Sequence, residues 1–266
     1  MNQKHKKHFE NKRHSSLQKE ENNTNKHSTI KEEKPFKDVD LSWKRYLFPP
    51  IHPEGLKILG VMFAIILVFG LLYPSIWILG LPLLAFSFYF FRNPERVTVH
   101  NDNLIIAPAD GIVSNIKKVV PPEELDIGRE PLTRISIFMS VFNVHVNRAP
   151  VTGTVHALNY RPGKFVSVAD KDSEDNERQE ICLRMSNGIR IGYIQIAGLV
   201  ARRIFCPLKV GDKLKAGEVF GMIRFGSRLD VFLPKGVEPQ VLLGQTSVAG
   251  ETILADMSDL IKKHDK

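Results

Sequence analysis

Hydrophobic and polar positions divide the chain into three stretches of different texture. The first 34 residues hold almost no large apolar side chain. From Leu56 to Phe91 the pattern inverts: "LKILGVMFAIILVFGLLYPSIWILGLPLLAFSFYFF" carries one charge, Lys57, in 36 residues, and Pro74 divides it into runs of 18 and 17. Beyond about Asn103 the runs become short and rich in β-branched and aromatic residues. "LIIAPADGIVSNIKKVV", "RISIFMSVFNVHVNRAP", "TGTVHALNY", "GIRIGYIQIAG" and "EVFGMIRFG" are separated by Gly, Pro, Asn and Asp at hairpin spacing. Pro108, Pro150, Pro162, Pro207 and Pro234 fall at run edges, where strands tolerate a missing donor. Residues 168–180, "VADKDSEDNERQE", read as a polar surface loop, and only "ILADMSDLIKK" near the end has a helical period. The expected fold is mainly β: a barrel-sandwich-like antiparallel domain preceded by an apolar helical hairpin and a disordered basic tail. The expected divisions are 1–45 for the tail, 46–96 for the hairpin and 97–266 for the β domain.

Each apolar run would rise roughly 26 Å as a helix, just under the ~30 Å of a hydrocarbon core. Two thin membrane-spanning helices and a shallower re-entrant hairpin are both consistent with that length. Lys44, Arg45 and Lys57 flank one end, Arg92 and Arg96 the other, and the connecting "YPS" has no charge. Positive flanks face the cytoplasm, so the expected location is the cell membrane with the β domain on the cytoplasmic side.

Charge adds to this picture at the tail. Residues 1–34 hold nine Lys/Arg, five Glu and four of the nine histidines, and supply four of the eight net positive charges. Such a segment cannot bury enough apolar surface to offset its ordering entropy. Beside a membrane each cation would contribute about 1 kcal/mol of attraction to anionic lipid. His5, His8 and His14 have no folded frame to make a metal site. Two cysteines without a CxxC, Cys182 and Cys206, give neither a disulfide framework nor a zinc signature.

The candidate chemistry lies in the β domain. Gly226-Ser227 interrupts "RFGSRLDVFLP" between two apolar runs, which by itself marks a turn or bulge. A serine hydroxyl becomes a nucleophile only when a base takes its proton. His145, in the alternating run "VFNVHVNRAP", should face away from Val144 and Val146 and has the side chain to act as that base; His156 in "TVHALNY" competes with it. Asp110 precedes a glycine in "APADGIV", a turn signal whose chemical reading is a carboxylate that orients the histidine. "LKVGDKLKAGEVFGMI" and "APADGIVSNI" resemble the two halves of a biotinyl/lipoyl-type sandwich, which offers a non-enzymatic membrane-anchored adaptor as a rival function; the Met-Lys-Met tip of a carrier does not occur.

Taken in order, "FFRNPER" after the apolar hairpin, "APADGIV", "FMSVFNVHVNRAPVTGTV", "NERQ", "QIAGLVARRI" and "RFGSRLDVFLP" resemble the short, membrane-associated phosphatidylserine decarboxylase proenzymes. The resemblance runs from about Pro53 to Leu254. It implies a pyruvoyl enzyme that cuts itself between Gly226 and Ser227 and converts Ser227 into its own pyruvoyl cofactor, with no metal and no pyridoxal phosphate. Catalytic Ser227, His145 and Asp110 follow from it, as do chains 1–226 and 227–266 that stay associated. Arg148, Arg202 and Arg203 are candidates for contact with the substrate carboxylate or phosphate, where a guanidinium fork suits oxyanions. The implied reaction removes carbon dioxide from phosphatidylserine to leave phosphatidylethanolamine; ether-linked archaetidylserine, with the same headgroup, is an alternative substrate. The expected partners are a phospholipid and the two self-cleavage chains, with no nucleic acid and with homo-oligomerisation open. One departure stands out. Longer family members tend to carry a second histidine three residues before the catalytic one, and here that position is Phe142. A lysostaphin-type zinc peptidase would need a His-x-His pair among its ligands, and His100, His145 and His156 are too widely spaced for one.

Overall fold

Pro53 opens the first helix at a position where no amide donor is needed. The His52 imidazole accepts from the Glu54 N–H at 3.3 Å, and Glu54 brings negative charge to the positive helix end. The computed structural model describes residues 47–163, 175–198, 203–224 and 226–264, so the basic tail, most of the acidic segment and Arg202 lie outside the described residues. Helix α1 (Pro53–Leu72) turns through Tyr73–Ser75 into helix α2 (Ile76–Phe90). A Cβ on Gly70 would lie 2.6 Å from the Trp77 ring and one on Gly80 2.8 Å from Ile66, so the two helices meet where they have no side chain. Away from that seam the surface is apolar and open, with Leu71, Ile78 and Leu79 about three-quarters exposed.

The two helices are less equal than the apolar runs that encode them. The polar cap at 52–54 lengthens α1 to 20 residues, about 30 Å, and α1 is long and apolar enough to cross a membrane by length and composition. Ser75 and Phe91 serve as caps for α2 and leave it 15 residues, about 22 Å.

The β domain follows as β1 (Leu104–Ile106), β2 (Gly111–Val119), β3 (Leu132–Met139), β4 (Val146–Arg148), β5 (Gly153–Arg161), β6 (Arg178–Arg184), β7 (Arg190–Ala197), β8 (Ile204–Phe205), β9 (Lys213–Leu214), β10 (Val219–Ile223), β11 (Ser227–Phe232), β12 (Thr246–Ser247), β13 (Ile253–Asp256) and a closing helix α3 (Ser258–His264). Eight strands form one curled sheet in the order β12-β2-β3-β11-β7-β6-β5-β9, and β4-β10-β8 and β1-β13 form two small sheets beside it. Every ladder among the described residues is antiparallel. The expected mainly-β fold is therefore present. Ile105, Ile137, Ile181, Leu229 and Val231 are fully buried in its core, and Phe220 of β10 meets Tyr193 of β7 edge-on at 5.3 Å between ring centroids.

Two local expectations change. The polar stretch read as loop ends inside β6, where Arg178, Gln179 and Glu180 are buried. Part of their polarity is met within the sheet: Gln179 Nε2 donates to the Asn159 carbonyl at 3.0 Å, Glu180 accepts from Asn159 Nδ2 at 2.8 Å, and Arg178 Nη1 lies 4.0 Å from the Glu180 carboxylate. The C-terminal stretch read as helix also splits. Leu254 and Ala255 are fully buried and belong to β13, which pairs with β1, so the helix begins only at Ser258.

Tyr46–Lys266 form one compact unit, so hairpin and β domain are joined rather than separate. The hairpin base is closed by backbone bonds from His52 N to Phe91 O (2.9 Å) and from Asn93 N to Pro50 O (2.6 Å). Arg148 then ties the base to the β domain, donating to Asn93 Oδ1, Pro94 O and Gly217 O at 2.9–3.0 Å.

Candidate active site

Strand β11 runs through the middle of the large sheet, and Ser227 is its first residue. It pairs with Met139 on β3 and with Ala197 on β7, and it is fully buried. Its Oγ donates to the Met139 sulfur at 3.3 Å, a weak acceptor that leaves the hydroxyl lightly held. Gly226, just before it, has φ +63°. An added Cβ would meet none of the described residues within 4 Å, so the left-handed backbone is what calls for glycine here.

The imidazole of His145 stands over this peptide. Gly226 N–H donates to His145 Nε2 at 3.3 Å, and His145 Nδ1 lies 3.0 Å from the Asn143 carbonyl. An amide can only donate and a carbonyl can only accept. The ring is therefore neutral, with its proton on Nδ1 and the Nε2 lone pair facing the Gly226-Ser227 segment. The turn "SVFN" sets this up: Asn143 N donates to Ser140 O at 2.9 Å, and Ser140 N donates to Asn143 Oδ1 at 2.8 Å, fixing the carbonyl that orients the ring. Phe90, the last residue of α2, stacks on the imidazole at 4.2 Å with the planes 32° apart. Burial pushes the His145 pKa down to about 4, with the positive charge of Arg92 adding to the effect and the Asn143 carbonyl opposing it. A histidine so placed is a base in its unprotonated form at neutral pH.

A hydroxyl, a neutral base aimed at the adjoining peptide and a glycine in the left-handed conformation make an arrangement suited to intramolecular attack on a backbone carbonyl. Residues 83–255, which include all of these groups, match the family model described as phosphatidylserine decarboxylase. The chain belongs to the phosphatidylserine decarboxylase family. Among its relatives are two phosphatidylserine decarboxylase proenzymes. That of Ruegeria pomeroyi is 56% identical over 209 residues, covering 78% of this chain and 95% of the relative; that of Cereibacter sphaeroides is 52% identical over 210 residues, covering 79% and 90%.

Not every residue singled out in the sequence of this phosphatidylserine decarboxylase family member meets the base. Asp110 Oδ2 pairs with Arg96 at 2.7 Å and Oδ1 accepts from Ala249 N at 2.8 Å, while the orienting bond on His145 comes from a backbone carbonyl. Burial raises the Asp110 pKa, and Arg96 acts against it. The carboxylate thus joins the segment after the hairpin, the turn before β2 and the turn after β12. Asp110→Asn is expected to leave Arg96 without its countercharge and to lower stability by about 2 kcal/mol or more, with self-cleavage slowed in step. Thermal melting and a cleavage time course on one preparation check this; lost cleavage at unchanged stability would instead indicate a direct action of Asp110 on the base.

Arg148 is committed to two acceptors of the hairpin base and to Gly217 O of the β domain, Arg203 is exposed beside β8, and Arg202 lies outside the described residues. His156 Nε2 meets Asp126 Oδ2 at 2.8 Å, with Arg190 on the same carboxylate. Phe142 is 65% exposed, edge-on to Phe86 of α2 at 6.4 Å, and its carbonyl accepts from Arg92 Nη2 at 2.9 Å.

Sequence reasoning missed Asn143 and Phe90. Phe90 sits in an all-apolar run where nothing distinguishes it, and Asn143 acts through a backbone oxygen. Glu54 of α1 also reaches this region, its carboxylate 3.2 Å from Arg224 Nη2, two residues before Gly226. Both hairpin helices thus border the Gly226-Ser227 segment and its histidine. Phe90→Ala is expected to cost about 3–5 kcal/mol and to admit water to the imidazole, so that its pKa rises toward the ordinary value. The acid limb of the cleavage pH profile, measured on this variant, should move up toward pH 6.5, the ordinary value for histidine.

Proposed function

We propose that this chain is a proenzyme that cuts itself between Gly226 and Ser227 and then decarboxylates phosphatidylserine to phosphatidylethanolamine and carbon dioxide. The observation that carries the reading is the 3.3 Å bond from Gly226 N–H to the unprotonated Nε2 of His145, which holds a base one peptide before the bond that the serine must attack. The attack is intramolecular, and well-oriented reactions of that kind gain effective molarities of about 10⁵–10⁸ M. His145 takes the hydroxyl proton and returns it to the departing nitrogen, giving an ester between Gly226 and the Ser227 side chain. Elimination then frees the Gly226 carboxylate, and hydrolysis of the dehydroalanine left at 227 releases ammonia.

Position 227 suits the pyruvoyl group so formed: it is closed from water, held by strands on both sides and close to a neutral imidazole. That group supplies an electron sink for the carbanion left by loss of carbon dioxide. The chain's own contribution is to bury it, to hold it at the head of β11, and to offer His145 as the proton carrier for the product carbon. Chains 1–226 and 227–266 stay together because β11 is hydrogen-bonded between β3 and β7.

The location of the base favours a lipid substrate. His145 packs against the last residue of the apolar hairpin, so a headgroup presented at a membrane surface would arrive beside it. Lys57, Arg92 and Arg96 cluster at the hairpin base and none lies at the "YPS" tip, which supports a cytoplasmic site. Intact mass measurement of the purified, denatured protein tests the proposal. The expected result is two chains, the smaller beginning at position 227 with a blocked end; a single chain with free Ser227, from folded and active protein, would overturn it.

A further inference from the structure

Beside the cleavage site stands a buried carboxamide pair that the steps above do not use. Asn147 on β4 and Gln195 on β7 are both fully buried. Gln195 Nε2 donates to Asn147 Oδ1 at 2.8 Å, which decides how the Asn147 amide lies: its oxygen is taken and its Nδ2 points elsewhere. Nδ2 is directed at the Met139 sulfur, 3.8 Å away, the same sulfur that accepts from the Ser227 hydroxyl. Met139, Ser227 and Ala197 are laterally paired, and Gln195, two residues along β7 from Ala197, shares their face of the sheet. A thioether is a poor acceptor, so a buried N–H₂ aimed at one keeps most of its hydrogen-bonding capacity unspent. Gln195 Oε1 has no hydrogen-bond partner among the described residues. A pair that merely packed the core would be expected to satisfy itself, and this one does not.

We infer that Asn147 is an oxyanion donor in self-cleavage and that Gln195 is the positioning residue that fixes its orientation. The inference rests on the self-cleavage reading. As the Ser227 oxygen bonds to the Gly226 carbonyl carbon, its proton passes to His145 Nε2 and the carbonyl π pair moves onto oxygen. The Asn147 Nδ2–H turns from the sulfur to that alkoxide. Collapse restores the carbonyl and breaks the carbon–nitrogen bond; the Ser227 nitrogen takes the proton from His145, and an ester remains with no net gain or loss of protons. One such donor typically accounts for about 10²–10³ in rate.

The test is a time course of cleavage for the full chain made by cell-free synthesis into phospholipid vesicles at buffered pH. Asn147→Asp keeps the shape and the bond from Gln195 but replaces the donor with an acceptor. It is expected to cleave at least 100-fold more slowly at about pH 8 and to recover as pH falls toward about 5.5, because a buried carboxyl has a raised pKa and donates once protonated. His145, with a pKa of about 4, and Tyr193, raised well above its ordinary value, keep one charge state across that range. Gln195→Met, close in volume, leaves Asn147 free to turn and should slow cleavage at least tenfold with a normal melting temperature. If Asn147→Asp does not fold, Gln195→Met decides: folded and fast, it overturns the inference. An Asn147→Asp chain that cleaves like the parent, or slowly without any pH dependence, also overturns it. Failure of the parent chain itself to cleave would instead defeat the self-cleavage reading.

Discussion

Ser227→Ala is expected to remain a single, folded, inactive chain of 266 residues, whereas the parent is expected to separate into 1–226 and 227–266. The hydroxyl is the only group at this position able to add to the Gly226 carbonyl, so its loss should abolish cleavage rather than slow it. With no cleavage there is no carbonyl group at the head of β11 and no decarboxylation. The fold should hardly notice. The Ser227 hydroxyl donates to a thioether, and exchanging one weak bond for a methyl of nearly the same volume costs less than about 1 kcal/mol. The strand pairing of Ser227 with Met139 and Ala197 uses backbone groups that alanine also has. A denaturing gel with intact mass, a melting curve and release of carbon dioxide from phosphatidylserine vesicles together check the three parts. Continued cleavage in this variant would end the serine mechanism; a large loss of stability would mean that the hydroxyl is held more firmly than a bond to sulfur allows.

Gly226-Ser227 and His145 could be singled out because they fall in an ordered set of short motifs, and the fold brings Gly226 and His145 together; the alternation read into "VFNVHVNRAP" does not carry over, since His145 precedes β4 and is buried along with Val144 and Val146. The hairpin was legible because 36 residues with one charge leave few alternatives. Other features were hidden for physical reasons. A carboxylate is recognisable as a residue type, but its partner is not: Asp110 binds Arg96 and Ala249 N, groups brought to it only by the folded turns. The orienting acceptor on His145 is a main-chain oxygen, which leaves no side-chain signature. The polar segment around Arg178–Glu180 looked exposed because pattern reading equates polarity with solvent, whereas Gln179 and Glu180 find a partner across the sheet in Asn159. Leu254 and Ala255 fit a helical period as well as a strand, and only pairing with β1 decides between them. The fold class and the Gly226-Ser227 pair follow from local pattern; the wiring around His145 follows from tertiary contact.

His145→Gln is expected to retain the fold and slow cleavage by about 10²–10⁴-fold, the usual contribution of a positioned general base. Glutamine can still accept from Gly226 N–H through its side-chain oxygen, so the loss would be in proton transfer and not in holding the segment. The parent's pH dependence should be distinctive. Free histidine titrates near 6.5, but burial under Phe90 pushes His145 down to about 4. Its base form is then already complete at mildly acidic pH, and the cleavage rate should be flat from about pH 8 to about pH 5.5, falling only as pH approaches the folded-state value. The sign for stability follows from the same shift. Between the two pKa values the unfolded chain binds a proton that the folded chain refuses, so this contribution is complete above about 6.5 and is lost as pH falls toward 4. His145→Gln removes the titrating group, and the variant should lose less stability than the parent over that window. Cleavage time courses and melting curves recorded at matched pH values test both statements. A parent rate with its midpoint near 6.5 would mean that water reaches the imidazole before the attack, and His145→Gln cleaving at the parent rate would transfer the role of base to another group.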